Sequence, residues 1–179
     1  ASLTWNNSNQ FAGGADDNIT GLTASGKDYV KELEKRNIII DVSHLNEKSF
    51  WDVMRTVSKP VVASHSNLYT VCPHPRYLKN EQFYELIKTG GYVGLNFYPE
   101  FLAKDGHARA KDVSKMAEKA FLLGGEDVIG LGGDFDGIDK TPDKINGIQS
   151  LNEVFEYIKN KNMAEKLANG NFELYLRNN

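Results

Sequence analysis

Two histidines, an asparagine and an aspartate stand at matching points along this chain, each at or just beyond the end of a short apolar run. His44 closes Asp41-Val42-Ser43-His44, and His65 follows Pro60-Val61-Val62-Ala63-Ser64. Asn96 lies near the end of Tyr92-Val93-Gly94-Leu95-Asn96-Phe97, and Asp134 follows Val128-Ile129-Gly130-Leu131-Gly132. Taken singly, a histidine after a strand is most simply a hydrogen-bonded loop residue, and Asn96 most simply satisfies backbone groups. Two histidines on successive runs, joined by a carboxylate at the corresponding place, point instead to a metal or acid–base site. Neutral imidazole is a strong zinc ligand, while a carboxylate can ligate, orient or shuttle protons. Bound zinc activates water near neutral pH, which suits hydrolysis.

Other polar residues carry weaker signals. Asp134-Phe135-Asp136-Gly137-Ile138-Asp139 resembles a calcium loop only superficially, because an EF-hand places its Gly and final Glu differently. Cys72 and His74 read as a metal clip or, with Pro73 and Pro75 between and beside them, as a rigid surface turn. His107, in Lys104-Asp105-Gly106-His107, reads as solvated. Spacing alone leaves Arg76 a surface charge.

The elements that must position these residues alternate. The apolar runs at 38–42, 60–64, 92–97 and 128–132 are short and rich in β-branched residues, as buried strands are. Pro60 is tolerated at a strand start. Between the runs lie amphipathic helices. Thr23 or Ser25 caps a segment to about Arg36, with Tyr29, Val30 and Leu33 on one face. Asn46 caps a helix carrying Phe50, Val53 and Met54, and Asn80 caps one carrying Phe83, Leu86 and Ile87 that ends at Gly90-Gly91. A fourth runs from about Ala110 to Leu123, and the tail from about Ser150 reads as helical, broken near Asn162 and Asn169-Gly170. This alternation predicts an α/β fold with a parallel sheet, and both a doubly wound sheet and half of an eight-stranded barrel fit it. In either, ligands bind at the carboxyl ends of the strands, where the four polar residues stand.

Composition narrows the function classes. The chain has 179 residues, 40% hydrophobic and 25% charged, enough for one compact domain. A net charge of −3 without a basic block gives a nucleic-acid partner no electrostatic support. No apolar stretch approaches the ~20 residues of a membrane span. The single cysteine, Cys72, excludes an internal disulfide and is compatible with a reducing compartment. With no signal-peptide pattern at the start, the expectation is a cytoplasmic protein.

At the residues singled out, the sequence resembles the membrane dipeptidase (renal dipeptidase) family of zinc peptidases. The resemblance is carried by IIIDVSHLNEKSFWDV, PVVASHSNLYTVCPHPR, GGYVGLNFYPEF, DVIGLGGDFDG and the closing GNFELYL, and it runs from about Leu3 to the end. It implies a (β/α)₈ TIM-type barrel, of which residues 1–179 form the C-terminal portion, with parallel strands and C-terminal helices. It further implies two zinc ions bridged by a carboxylate and hydrolysis of dipeptides, including those with a D-residue at the C-terminal position. Carried over by motif, His44 and His65 are ligands of the second zinc, Arg76 binds the substrate carboxylate, and Asp134 is the catalytic residue that manages protons.

The sequence also departs from the family pattern. The His-x-Asp pair that binds the first zinc and the bridging Glu belong upstream of residue 1, so the missing N-terminal portion of the barrel is an expected partner, and a homodimer is allowed. Many members carry a His after Leu-Thr, where this chain has Trp5, with Asn6 and Asn7 next to it. Two alternatives stay open at this stage. One is another metal-dependent amidohydrolase such as a deaminase. The other is a non-catalytic binding or scaffold protein that lacks the first-metal ligands.

Overall fold

The computed structural model describes residues 1–179. At its centre is a parallel sheet of three short strands, β1 (Val62–Ala63), β2 (Tyr92–Leu95) and β3 (Ile129–Leu131). Val62 pairs with Tyr92, and Val93, Gly94 and Leu95 pair with Ile129, Gly130 and Leu131. Single parallel bridges extend it on the β1 side, from Val62 to Asp41 and from Asp41 to Ser2. The neighbours therefore follow chain order without a reversal.

The apolar run 38–42 forms a bridge rather than a full strand. Val42 N–H donates to Val62 O and Val62 N–H to Ile40 O, but the next amides, Ser43 N–H and Ser64 N–H, donate to the Asp41 carboxylate. The side chain thus takes the Ser64 donor that would have continued the ladder. His44, at φ 71°, then turns the chain away.

Seven α-helices complete the fold. α1 (Ala24–Lys35) starts at Thr23, whose hydroxyl accepts Gly26 N–H. It buries Val30 and Leu33, whereas Tyr29 is partly exposed and stacks on Phe11. α2 (Glu47–Thr56) is capped by Asn46 and buries Phe50 and Val53. α3 (Asn80–Thr89) begins one residue earlier than an Asn80 cap would place it. Lys79 occupies the cap position, and Gln82 Oε1 reaches back to its N–H at 2.9 Å. Gly90, at φ 70°, closes the helix, a conformation glycine adopts without a Cβ penalty. α4 (Ala110–Leu122) buries Val113, Met116, Ala117 and Ala120. In the tail, α5 (Asn152–Phe155) and α6 (Lys161–Glu165) are separated near Asn160, which caps α6, rather than at Asn162. Residues 166–170 make a π-helical turn that leads directly into α7 (Asn171–Asn178), so no break occurs at Asn169-Gly170.

Alternation along β2 divides its side chains between two faces. Val93 and Leu95 join the main core with Phe83, Leu86, Met116 and Phe50. Tyr92 packs with Val62 and with Tyr175 of α7 in a separate cluster. α7 is tied to the strands by polar bonds that its sequence pattern does not advertise. Asn171 Nδ2 donates to Glu126 O and Ile129 O, and Tyr175 OH donates to Pro60 O.

Candidate active site

The carboxyl ends of the sheet carry the polar residues. Ser43 and His44 follow the bridge at Asp41, Ser64 and His65 follow β1, Asn96 follows β2, and Asp134 follows β3. His44, His65, Arg76 and Asp134 line one open cleft of about 500 Å³, together with Trp5, Asn6, Tyr98, Phe101, Ile138 and Asp139. Gly132 keeps the strand ends close. A Cβ there would lie 1.9 Å from Ser64 O, so a side chain would drive β3 from the backbone that carries His65.

The two imidazoles face one another, with His44 Nε2 and His65 Nε2 2.8 Å apart. Their other ring nitrogens are engaged: His44 Nδ1 meets Asn6 Oδ1 at 2.8 Å and His65 Nδ1 meets Ser64 Oγ at 2.7 Å. Burial pushes the His44 pKa down to about 3, helped by the positive Arg76 and by His65. Burial likewise lowers that of His65, although Asp134 and Asp41 pull the other way. Both rings are therefore neutral near pH 7, the state in which imidazole ligates metal. Two ligands on one zinc at ~2.0–2.1 Å and tetrahedral angles lie about 3.3 Å apart, so a small opening of the pair would admit an ion. The donor set fits part of a metal site. No cluster of three or more His, Cys, Asp or Glu side chains is arranged to hold an ion.

Arg76 is buried, 8% exposed, yet none of the chain's ion pairs engages it. Burial pulls its pKa down to about 10, while the charges of Asp134 and Asp41 partly restore it. A cationic fork in a cleft without a carboxylate partner is suited to an anionic ligand. Its backbone is set by His74, whose Nδ1 accepts Arg76 N–H at 3.2 Å. The segment around His74 is a turn with Pro73 and Pro75 exposed, as expected, but its other side chains face inward. Cys72 is buried, and the His74 ring packs against Tyr77 and Phe101 with centroids 5.2 and 4.6 Å away. His107, by contrast, is exposed as expected.

Asp134, at φ 59°, receives Asn96 Nδ2 on Oδ2 at 2.9 Å. Asn96 is itself fully buried. Its Oδ1 accepts Tyr98 N–H, and its backbone exchanges two bonds with the Asn67 amide. It thus satisfies the strand end and orients the carboxylate at once. Sequence reasoning passed over Asp41, Ser64 and His74 as supports. The visible trace of this support was the hydroxyl residue directly before each histidine, Ser43 and Ser64.

The family model for membrane dipeptidases, peptidase family M19, matches residues 1–174. The chain belongs to the membrane dipeptidase family. A relative in the pqqA 5′ region of Klebsiella pneumoniae is 36% identical over 166 residues, covering 87% of this chain and 61% of the relative. An uncharacterized dipeptidase of Schizosaccharomyces pombe is 32% identical over 163 residues, covering 87% and 38%. Among solved structures, the metallo peptidase of Rhodobacter sphaeroides, liganded with a phosphinate mimic of the dipeptide L-Ala-D-Ala, superposes with a TM-score of 0.90 at 31% identity. That match covers 98% of this chain and 54% of the other. This membrane dipeptidase family chain thus spans between 38% and 61% of the length of these relatives.

Proposed function

We propose that the chain supplies the second-metal and substrate-carboxylate side of a zinc-dependent dipeptidase, its sheet being one arc of an eight-stranded barrel. The remaining metal ligands, in this reading, come from the part of the relatives' length that this chain does not span. The observation that carries the reading is the pair of neutral imidazoles with facing Nε2 atoms, in one cleft with a buried arginine that no carboxylate neutralises. The family membership and the dipeptide mimic on the Rhodobacter sphaeroides relative support the substrate class.

His44 and His65 would hold the metal through Nε2. Bound zinc supplies Lewis acidity and activates water near neutral pH. Arg76 takes the free carboxylate of the dipeptide in a bidentate grip, which places the peptide bond at a fixed distance from the cleft wall. Asp134, anchored through Oδ2 by Asn96, has Oδ1 on the side of Gly137, where no Cβ stands. Oδ1 takes a proton from the attacking water and returns it to the leaving amine. Dipeptides with a C-terminal D-residue belong to the proposed substrate range.

The test compares dipeptides, L,L and L,D, with their C-terminal amides on zinc-supplied protein in which the remaining metal ligands accompany this chain. Amidation removes the charge that Arg76 pairs with, a loss of about 1.5–3 kcal/mol or ~10–150-fold in kcat/KM. Equal turnover of the amides would count against the carboxylate grip and with it the dipeptidase reading.

A further inference from the structure

His65 is held at three atoms. Its backbone N–H donates to Ser43 Oγ at 3.1 Å, its Nε2 faces His44, and its Nδ1 lies 2.7 Å from Ser64 Oγ. The same Ser64 Oγ lies 2.5 Å from Asp41 Oδ2. Asp41 is buried and surrounded by donors. Ser43 N–H and Ser64 N–H reach Oδ1 at 2.9 and 3.0 Å, and Ser2 Oγ reaches Oδ2 at 3.0 Å.

A serine hydroxyl has one hydrogen to give. A carboxylate held by several donors stays ionised and can only accept, so the Ser64 hydrogen goes to Asp41 at a distance typical of a charge-assisted O–H···O⁻ bond. The Ser43 hydroxyl, 3.4 Å from Ser64 Oγ, is a distant competitor. Only lone pairs of Ser64 Oγ then remain for the ring, and His65 Nδ1 must carry the proton. His44 is not bound in this way, because Asn6 is an amide, and a half-turn of its side chain exchanges acceptor for donor.

We propose that Asp41, acting through Ser64, is a positioning residue that locks His65 in the Nδ1–H tautomer and so keeps its Nε2 as a lone pair aimed at the cleft beside His44. The use of that lone pair rests on the metal-site reading above, whereas the relay itself does not. A fixed tautomer means that one ligand atom is ready before any ion arrives, with no proton to displace.

The isosteric variant Asp41→Asn tests the direction of the relay. With the amide oxygen facing Ser43 N–H and Ser64 N–H, its nitrogen must donate to Ser64 Oγ. The Ser64 hydrogen is then forced toward His65 Nδ1, and the ring proton moves to Nε2. Long-range ¹H–¹⁵N NMR of the histidine side chains, on chelator-treated protein in which the rest of the barrel accompanies this chain, at pH 8, reads the two tautomers directly. In the wild type, His65 should show a protonated nitrogen at Nδ1 and a bare one at Nε2, and Asp41→Asn should exchange them. Ser64→Ala leaves Asp41 three donors and removes the acceptor at Nδ1, so the proton should again move to Nε2, while Ser64→Thr should retain the wild-type pattern. A wild-type His65 protonated on Nε2, or an unchanged His65 in Ser64→Ala, overturns the proposal. If Asp41→Asn fails to fold, the two serine variants decide it alone. Neither metal nor substrate is present, so the result stands apart from any failure to hydrolyse dipeptides.

Discussion

At the scale of single residues, the site depends on groups kept in one charge state by their neighbours. His44 shows this most clearly, since burial first and Arg76 second push its pKa down to about 3. An unfolded chain takes up this proton near the ordinary value of 6.5, and the folded chain does not. Stability contributed by neutral His44 is therefore complete above about pH 6.5 and drains away as pH falls toward 3. Melting temperature against pH, measured without metal, should show this slope, and His44→Gln should flatten it over the same window. An identical slope in the variant would remove His44 as its cause. For Asp134 the expectation is kinetic. Asp134→Asn keeps the bond partner of Asn96 but cannot take a proton, so kcat should fall by roughly 10²–10⁴-fold with KM little changed. Steady-state kinetics beside calorimetric dipeptide binding separates the two effects, and an unimpaired variant would end the proton role.

At the scale of elements, the short parallel strands work because their ends come unusually close. Gly132 marks the tightest approach, with space for no atom between it and Ser64 O. Gly132→Ala must push β3 and the β1 end apart, an overpacking cost of about 1–3 kcal/mol. Denaturant titration should show the loss as a lower midpoint with unchanged slope, and full wild-type stability would mean that the strands can shift freely. The helices could be read from spacing and caps because those signals are local. Thr23 and Asn46 stand where the sequence places them. Lys79 at the start of α3 was not legible, because Gln82 reaching back supplied the bond that the expected Asn80 cap does not.

At the scale of the whole molecule, the sheet ends on open sides. Beyond Asp41 only single bridges continue it, and Ile38 and Ile39 are 41% and 38% exposed beside the groove they share with Pro60 and Tyr175. Apolar residues next to unpaired strand edges favour association. The 179-residue chain alone should therefore self-associate at micromolar concentration, and Ile39→Lys should reduce this in light scattering. A monodisperse wild-type monomer would contradict the expectation. No helix is long and apolar enough to cross a membrane.

The sequence by itself determined the alternation of helices and apolar runs, the parallel sheet, and which polar residues stand at its carboxyl ends. These follow from periodicity, capping and chain order, which act over a few neighbouring positions. By motif it also pointed to Arg76, which spacing left a surface charge. Only the tertiary structure decided that Arg76 is buried without an ion-pair partner and that Asn96 grips Asp134. It alone brought the two Nε2 atoms within 2.8 Å. It also turned the run 38–42 from a strand into a bridge, because the Asp41 carboxylate took the Ser64 amide from the ladder. Each of these rests on bonds between residues some twenty to forty positions apart, or on burial by distant segments, and no local pattern encodes which donor a side chain will meet after the chain has packed.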